Sequence, residues 1–85
     1  MYYLYIIYSE SIDRYYVGST ENIERRLERH NKGWGRYTKR GIPWKLVYRE
    51  LFSEKSLALK REKQIKKMKS RKYIEKLINA GSCPE

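Results

Sequence analysis

Tyr5 and Tyr16 stand eleven residues apart in two short strand-like runs, Tyr3-Leu4-Tyr5 and Tyr16-Val17-Gly18. The second run leads into Asn22-Ile23-Glu24-Arg25-Arg26-Leu27-Glu28-Arg29-His30, which reads as an arginine-lined helix. A phenol can relay a proton, and a guanidinium can hold two phosphate oxygens in a fork. Two phenols facing each other across a hairpin, with an arginine nearby, are therefore parts suited to a phosphodiester. Each residue also has a plainer role open to it. The chain holds nine tyrosines, and a large apolar body with a polar tip makes a good half-buried strand residue. Arg25, Arg26 and Arg29 could form a solvated basic face. His30, the sole histidine, lies four residues after Arg26 on the same helical stripe. On a final turn it can cap carbonyls or move a proton.

The acids bear on whether a metal is plausible. There are no paired acids, no Asp-x-Asp and no His-Glu-x-x-His. Glu62 differs from the rest because it sits at the edge of an apolar helical stripe, four residues after Ala58 and three before Ile65. A carboxylate beside a core face needs a partner. Lys63, Lys66 or a strand arginine would serve, and Arg61 lies even closer to the middle of the stripe. A single carboxylate can also hold a magnesium ion that keeps most of its waters and takes a phosphate oxygen from substrate.

The elements that would position these residues follow from pattern. Residues 2–9 are almost wholly aromatic or β-branched and predict a strand covered on both faces. Residues 14–19 predict its hairpin partner, with Gly18 marking a close approach or bend. Residues 20–31 predict a helix capped by Thr20, Glu21 or Asn22 and stopped at Gly33. Residues 32–43 read as loop and residues 44–50 as a third strand. A long helix starts at Ser53 or Ser56 and reaches Lys69, with Leu57, Ala58, Ile65 and Met68 as its apolar positions. A last helix runs from a Ser70 cap to Asn79, with Gly81 as its stop. The expected fold is α+β: a small three-stranded antiparallel sheet covered by helices, in the order β-β-α-β-α-α. Residues 1–81 form the domain and residues 82–85 a frayed tail.

With 85 residues the chain makes one domain with a modest core. Its 20 Lys and Arg against 10 Asp and Glu give a net charge of +10. That excess favours a polyanionic partner, because neutralising phosphates releases condensed counterions; solubility alone is the plainer account. Residues 60–72 carry eight basic residues and one acid, and Lys66, Lys67 and Lys69 are its candidate phosphate contacts. Trp34 and Tyr37 stand among Arg36, Lys39 and Arg40 in a loop suited to base stacking beside phosphate contacts; Trp34 tucked onto the sheet is the alternative. One cysteine, Cys83, allows no internal disulfide, and one histidine allows no Cys/His zinc site. No signal peptide or membrane-length stretch is present, so the expected location is the cytoplasm.

Taken together these residues resemble the GIY-YIG nuclease superfamily. Its first motif stands here as Tyr3-Leu4-Tyr5, its second as Tyr16-Val17-Gly18, its helical arginine as Arg26, and its metal-binding glutamate as Glu62 in Lys60-Arg61-Glu62. Length and layout look most like the small single-domain bacterial branch, which is similar to the nuclease domain of Slx-type structure-specific endonucleases and the N-terminal domain of the excision-repair nuclease. The resemblance implies hydrolysis of a phosphodiester with one divalent ion, Mg2+ or Mn2+. Tyr5 and Tyr16 would flank the reaction, one of them orienting or deprotonating water. Arg26 would stabilise the charged transition state, Glu62 would hold the metal, and His30 would assist proton transfer. Two positions depart from the pattern: Tyr3 stands where the name-giving glycine does, and Asn79 is the sole downstream candidate for an asparagine that many members carry.

The expected partner is DNA in branched, nicked or single-stranded form, with RNA as a further option and a targeting protein supplying address. A surface this small has little room to read bases, so selection of structure is expected over selection of sequence. Arg25 and Arg29 would join the loop and lysine residues in contacting the strand. The chain is expected to be a monomer. The rival expectation is a non-catalytic nucleic-acid-binding module on the same fold, and a third is a basic subunit that docks on an acidic protein.

Overall fold

The computed structural model describes residues 1–36 and 38–80. Its elements are β1 (Tyr2–Ser9), β2 (Arg14–Thr20), α1 (Ile23–Asn31), a short 3-10 turn at Thr38–Gly41, β3 (Trp44–Phe52), α2 (Lys55–Met68) and α3 (Arg71–Ala80). The three strands form one antiparallel sheet in the order β2-β1-β3. This is the α+β arrangement that the sequence pattern predicts.

β1 is the central strand, which is why its sequence is apolar without a polar alternation. Its even and odd positions serve different layers. Leu4 and Ile6 join Val17, Tyr48 and Ile65 in a core that Tyr73, Ile74, Leu77 and Ile78 cover from α3. Tyr5 and Ile7 point the other way and pack with Ile23 and Trp44, flanked by Tyr3, Tyr16 and Leu27. The hairpin register sets Tyr5 opposite Gly18 and Ile7 opposite Tyr16. On the other side, Ile6 pairs with Tyr48 but Ile7 pairs with Leu46, so Val47 is an extra residue in β3. Tyr3, at the glycine position of the first motif, lies half-buried in the second cluster and pairs with Thr20 and Leu51.

Several boundaries differ from expectation. α1 begins at Ile23 and not at residue 20, because Thr20 is still a rung of β2. The cap is Asn22, whose side chain accepts from the Arg25 N–H at 3.0 Å. β3 continues to Phe52, which pairs with Tyr2. The expected loop contains the 3-10 turn. Neither serine caps α2: Glu54 stands at its N-cap without a side-chain cap bond. Lys69, in the left-handed region at φ 48, ends α2. Ser70 does cap α3, accepting from the Tyr73 N–H at 3.1 Å.

The apolar stripe of α2 is narrower than predicted. Ala58 and Ile65 are buried, but Leu57 and Met68 are 44% and 52% exposed. Between them Arg61 bridges β3 and α3: its Nε donates to Glu50 at 3.1 Å and its Nη1 to the Tyr73 hydroxyl at 3.3 Å. The half-buried pair therefore occupies a position that an apolar residue would otherwise fill. Gly81 and the expected tail at 82–85 lie outside the described residues, as does Tyr37. Among the described residues no helix is long and apolar enough to cross a membrane.

Candidate active site

Tyr5 is set by what its partner residue lacks. Its ring lies over Gly18, and a Cβ there would stand 2.6 Å from the Tyr5 hydroxyl and 2.7 Å from Cζ. Only a bare backbone leaves room for the phenol. The hydroxyl then meets His30 Nε2 at 3.0 Å. The opposite ring nitrogen, Nδ1, meets the Thr38 hydroxyl at 2.8 Å. Tyr5, His30 and Thr38 thus form a buried line of three groups running from β1 through α1 to the 3-10 turn. Gly35 stands beside the Thr38 end, where a Cβ would lie 3.5 Å from His30 Nδ1.

Electrostatics keep this line uncharged at neutral pH. Burial pushes the Tyr5 phenol up to about 12, Tyr16 adds to the rise, and the Arg26 guanidinium beside it acts in the opposite direction. Burial also holds His30 below its usual value, and the positive charges of Arg26 and Arg29 push the same way. A neutral imidazole between two hydroxyls has one donor and one acceptor nitrogen. Either tautomer is satisfied, since Tyr5 and Thr38 can each donate or accept. The line can therefore pass a proton by switching the sense of its hydrogen bonds. His30, open to a capping role on sequence grounds, is engaged through its side chain in this line.

Tyr16 joins the two layers of helices. Its ring centroid lies 5.1 Å from that of His30 on α1 and 6.5 Å from that of Tyr5. On its other side the Lys66 ammonium of α2 lies 5.6 Å from the ring centroid. Lys66 Nζ also donates to Glu62 Oε2 at 2.7 Å, one helical turn away. The second Glu62 oxygen, Oε1, accepts from Ser19 Oγ of β2 at 2.7 Å. Glu62 is close enough to Tyr5 to contribute to its raised pKa. Edge strand β2 is thus where the α1 and α2 layers meet, and Tyr5, Tyr16, Arg26, His30, Glu62 and Lys66 converge there.

The candidate contacts for a strand fall into separate groups. Arg25, Arg26 and Arg29 line one cleft at the start of α1 with Thr20 and Asn22. Lys66 and Lys69 line a second beside Tyr15, Tyr16 and Ser70. Arg36 and Arg40 line a third with Arg14 and Ile12, and Lys39 is exposed on the 3-10 turn. Lys67 lies along Phe52 and Leu57, on a cleft that the site residues do not share. Trp34 is exposed and stacks under Arg29, so it is not tucked onto the sheet. Asn79 is exposed near the end of α3.

Sequence reasoning missed Ser19 and Thr38. Ser19 becomes legible only from the register, which puts it opposite Leu4 on the face that α2 covers. Thr38 lies in a loop whose pattern carried no signal. Asn31 was missed as well: its side chain accepts from the Trp44 N–H at 2.6 Å and donates to the Trp44 carbonyl at 3.0 Å. It fastens the end of α1 to the start of β3.

Residues 1–75 match the GIY-YIG catalytic domain. The chain belongs to the GIY-YIG family. It is 44% identical over 80 residues to a UPF0213 protein of Staphylococcus saprophyticus, covering 93% of this chain and 95% of that one. A UPF0213 protein of Clostridium perfringens is 40% identical over 86 residues, covering 90% of its length. The solution NMR structure of a UPF0213 protein from Bacillus halodurans superposes with a TM-score of 0.58 at 32% identity, over 93% of this chain and 84% of that one. Membership of the GIY-YIG family supports a nuclease-type function.

GIY-YIG nucleases are generally dependent on a divalent metal. Among the described residues there is no group of three or more His, Cys, Asp and Glu that could hold one. A cage made wholly of protein is therefore not the fit. Glu62 alone fits a hard cation that keeps most of its waters. One of its oxygens is fixed by Ser19, and the other is held by a surface lysine that can turn away.

Proposed function

We propose that this chain is a divalent-metal-dependent DNA endonuclease that hydrolyses one phosphodiester and selects its substrate by structure more than by sequence. The observation that carries the reading is the Tyr5–His30–Thr38 line, which meets Tyr16, Arg26 and Glu62 at one edge of the sheet. A fold that needed Tyr5 only for packing would not require an imidazole and a guanidinium at its hydroxyl.

The two phenols take different parts. Tyr5 is 1% exposed and raised to about 12, so it stays protonated near neutrality and orients, with His30 behind it. Tyr16 is half-buried at the edge strand and is the phenol that can reach an attacking water. The proton that this water loses can pass through the Tyr5 hydroxyl to neutral His30 Nε2, leaving an imidazolium whose Nδ1–H donates to the Thr38 hydroxyl. Arg26 offers fixed donors to the extra negative charge on phosphorus in the transition state. Glu62 would hold Mg2+ or Mn2+, which when bound supplies Lewis acidity to a phosphate oxygen. Lys66 neutralises Glu62 in the absence of another cation and is within reach of a strand phosphate once released.

A rival reading is a non-catalytic nucleic-acid-binding module. The Lys66 contact favours it, because the ammonium occupies a Glu62 oxygen. Labelled single-stranded, duplex, flap and four-way-junction DNA, incubated with Mg2+, Mn2+ or EDTA, separates the two. Products that need the metal support the nuclease. Binding that survives EDTA, with no product on any substrate, supports the module.

A further inference from the structure

The turn that ends α1 does more than stop the helix. Gly33 takes φ 81, and its N–H donates to the His30 carbonyl at 3.2 Å. The next N–H, that of Trp34, donates to the Arg29 carbonyl at 3.2 Å. This pair of bonds around a left-handed glycine is a Schellman cap. In such a cap the residue after the glycine usually packs an apolar side chain on the residue five before it. Here that earlier residue is Arg29, whose guanidinium carbon lies 5.4 Å from the Trp34 ring centroid. The indole therefore keeps 66% of its surface in water, while Trp44, the other tryptophan, keeps 2%.

The cap fixes the Trp34 backbone to the same helix turn that carries His30. Arg29 links it onward, since Arg29 shares a cleft with Arg25 and Arg26, and Arg26 lies beside the Tyr5 hydroxyl. An exposed indole just past the end of α1, a cation on it and a row of arginines along α1 thus lead toward Tyr5 on the strand beneath.

We propose that Trp34 and Arg29 form a stacking platform for one unpaired nucleobase, whose strand then runs along the α1 arginines toward Tyr5 and Tyr16. The proposal rests on the nuclease reading and adds a substrate class to it: DNA with an unpaired base beside the cleaved phosphodiester. A nucleobase is the occupant that fits, because its π-face suits the indole and its phosphates suit the arginines. In blunt duplex every base except those of the terminal pairs is already stacked on both faces and cannot use the platform.

Trp34 supplies its own signal, because the other tryptophan is buried. Fluorescence of the full chain is followed in EDTA, so that nothing is cut. The additions are a single strand, a blunt duplex of the same sequence and a duplex with a single-stranded arm; anisotropy of a dye on the DNA reports binding separately. The platform predicts quenching by the single strand and the arm and little by blunt duplex. Trp34→Ala should weaken single-strand binding by about 10-fold, in keeping with the loss of one base stack. Blunt-duplex binding should change less than twofold. Trp34→Phe should restore most of the loss and Trp34→Leu should not, which separates stacking from an apolar contact with a protein. Binding without quenching, or equal weakening on both forms, overturns the platform and leaves the nuclease reading intact. Failure to bind any of the three DNAs overturns both.

Discussion

At the scale of single residues, the site depends on a glycine and on two groups held neutral. Gly18→Ala would push a methyl into the space of the Tyr5 ring. A misplacement of this size should lower cleavage by about 100-fold, while circular dichroism stays close to that of the parent. His30 gives a pH signature. Its folded pKa lies below the usual value, so the unfolded chain takes up a proton first as pH falls. The stabilisation is complete above about pH 6.5 and is lost as pH drops through the folded value. Urea midpoints should therefore show the advantage of the parent over His30→Gln shrinking between pH 7.5 and pH 5. A constant gap would mean that His30 titrates alike in both states. Tyr5 has the opposite sign: with its phenol raised to about 12, its contribution is whole below the ordinary tyrosine value and fades as pH rises through that upper value. Lys66 makes a third claim. If its ammonium competes for Glu62, then Lys66→Met should bind Mn2+ several-fold more tightly in a spin-resonance titration. Unchanged or weaker binding would detach Lys66 from the carboxylate.

At the scale of elements, the two faces of β1 serve the larger core and the candidate site. Leu4 and Ile6 build the core under α2 and α3, whereas Tyr5 and Ile7 face α1 and the site. That division was legible, because an unbroken apolar run reads as a strand covered on both sides and Gly18 reads as a close approach. The register was not legible, and Ser19 depends on it. Thr38 and Asn31 were hidden for another reason: each joins a loop or helix end to a distant element, and local periodicity carries no record of that. Leu57 and Met68 misled because a helical stripe fixes an angle and not the width of what covers it. Asn31 supplies the test at this scale. Its two bonds to the Trp44 backbone are partly buried, and each is worth roughly 1 kcal/mol. Asn31→Ala should cost about 2 kcal/mol in denaturant unfolding, and slower exchange at the start of β3 would contradict the role given to this joint.

At the scale of the whole molecule, the 85 residues carry a charge of +10, which favours a polyanionic partner. The positive side chains do not form one continuous groove. Among the described residues, those that line the α1 cleft, the Lys66–Lys69 cleft and the Arg14–Arg36–Arg40 patch stand apart from Lys67, which lies on a further cleft with Lys60 and Lys63, and the converging site residues lie between the first two. A strand crossing from α1 to α2 would pass over Tyr16. On the proposed reading, such a path would present the strand's shape and phosphates to the site more than its base edges. The central claim is that Glu62 and Arg26 perform chemistry at this crossing. The most direct measurement is single-turnover cleavage of an end-labelled flap substrate with Mn2+, comparing the parent with Glu62→Ala and Arg26→Ala at protein concentrations that saturate binding. The account predicts product from the parent and a loss of at least about 100-fold in each variant, with DNA still bound. Full cleavage by Glu62→Ala would contradict it.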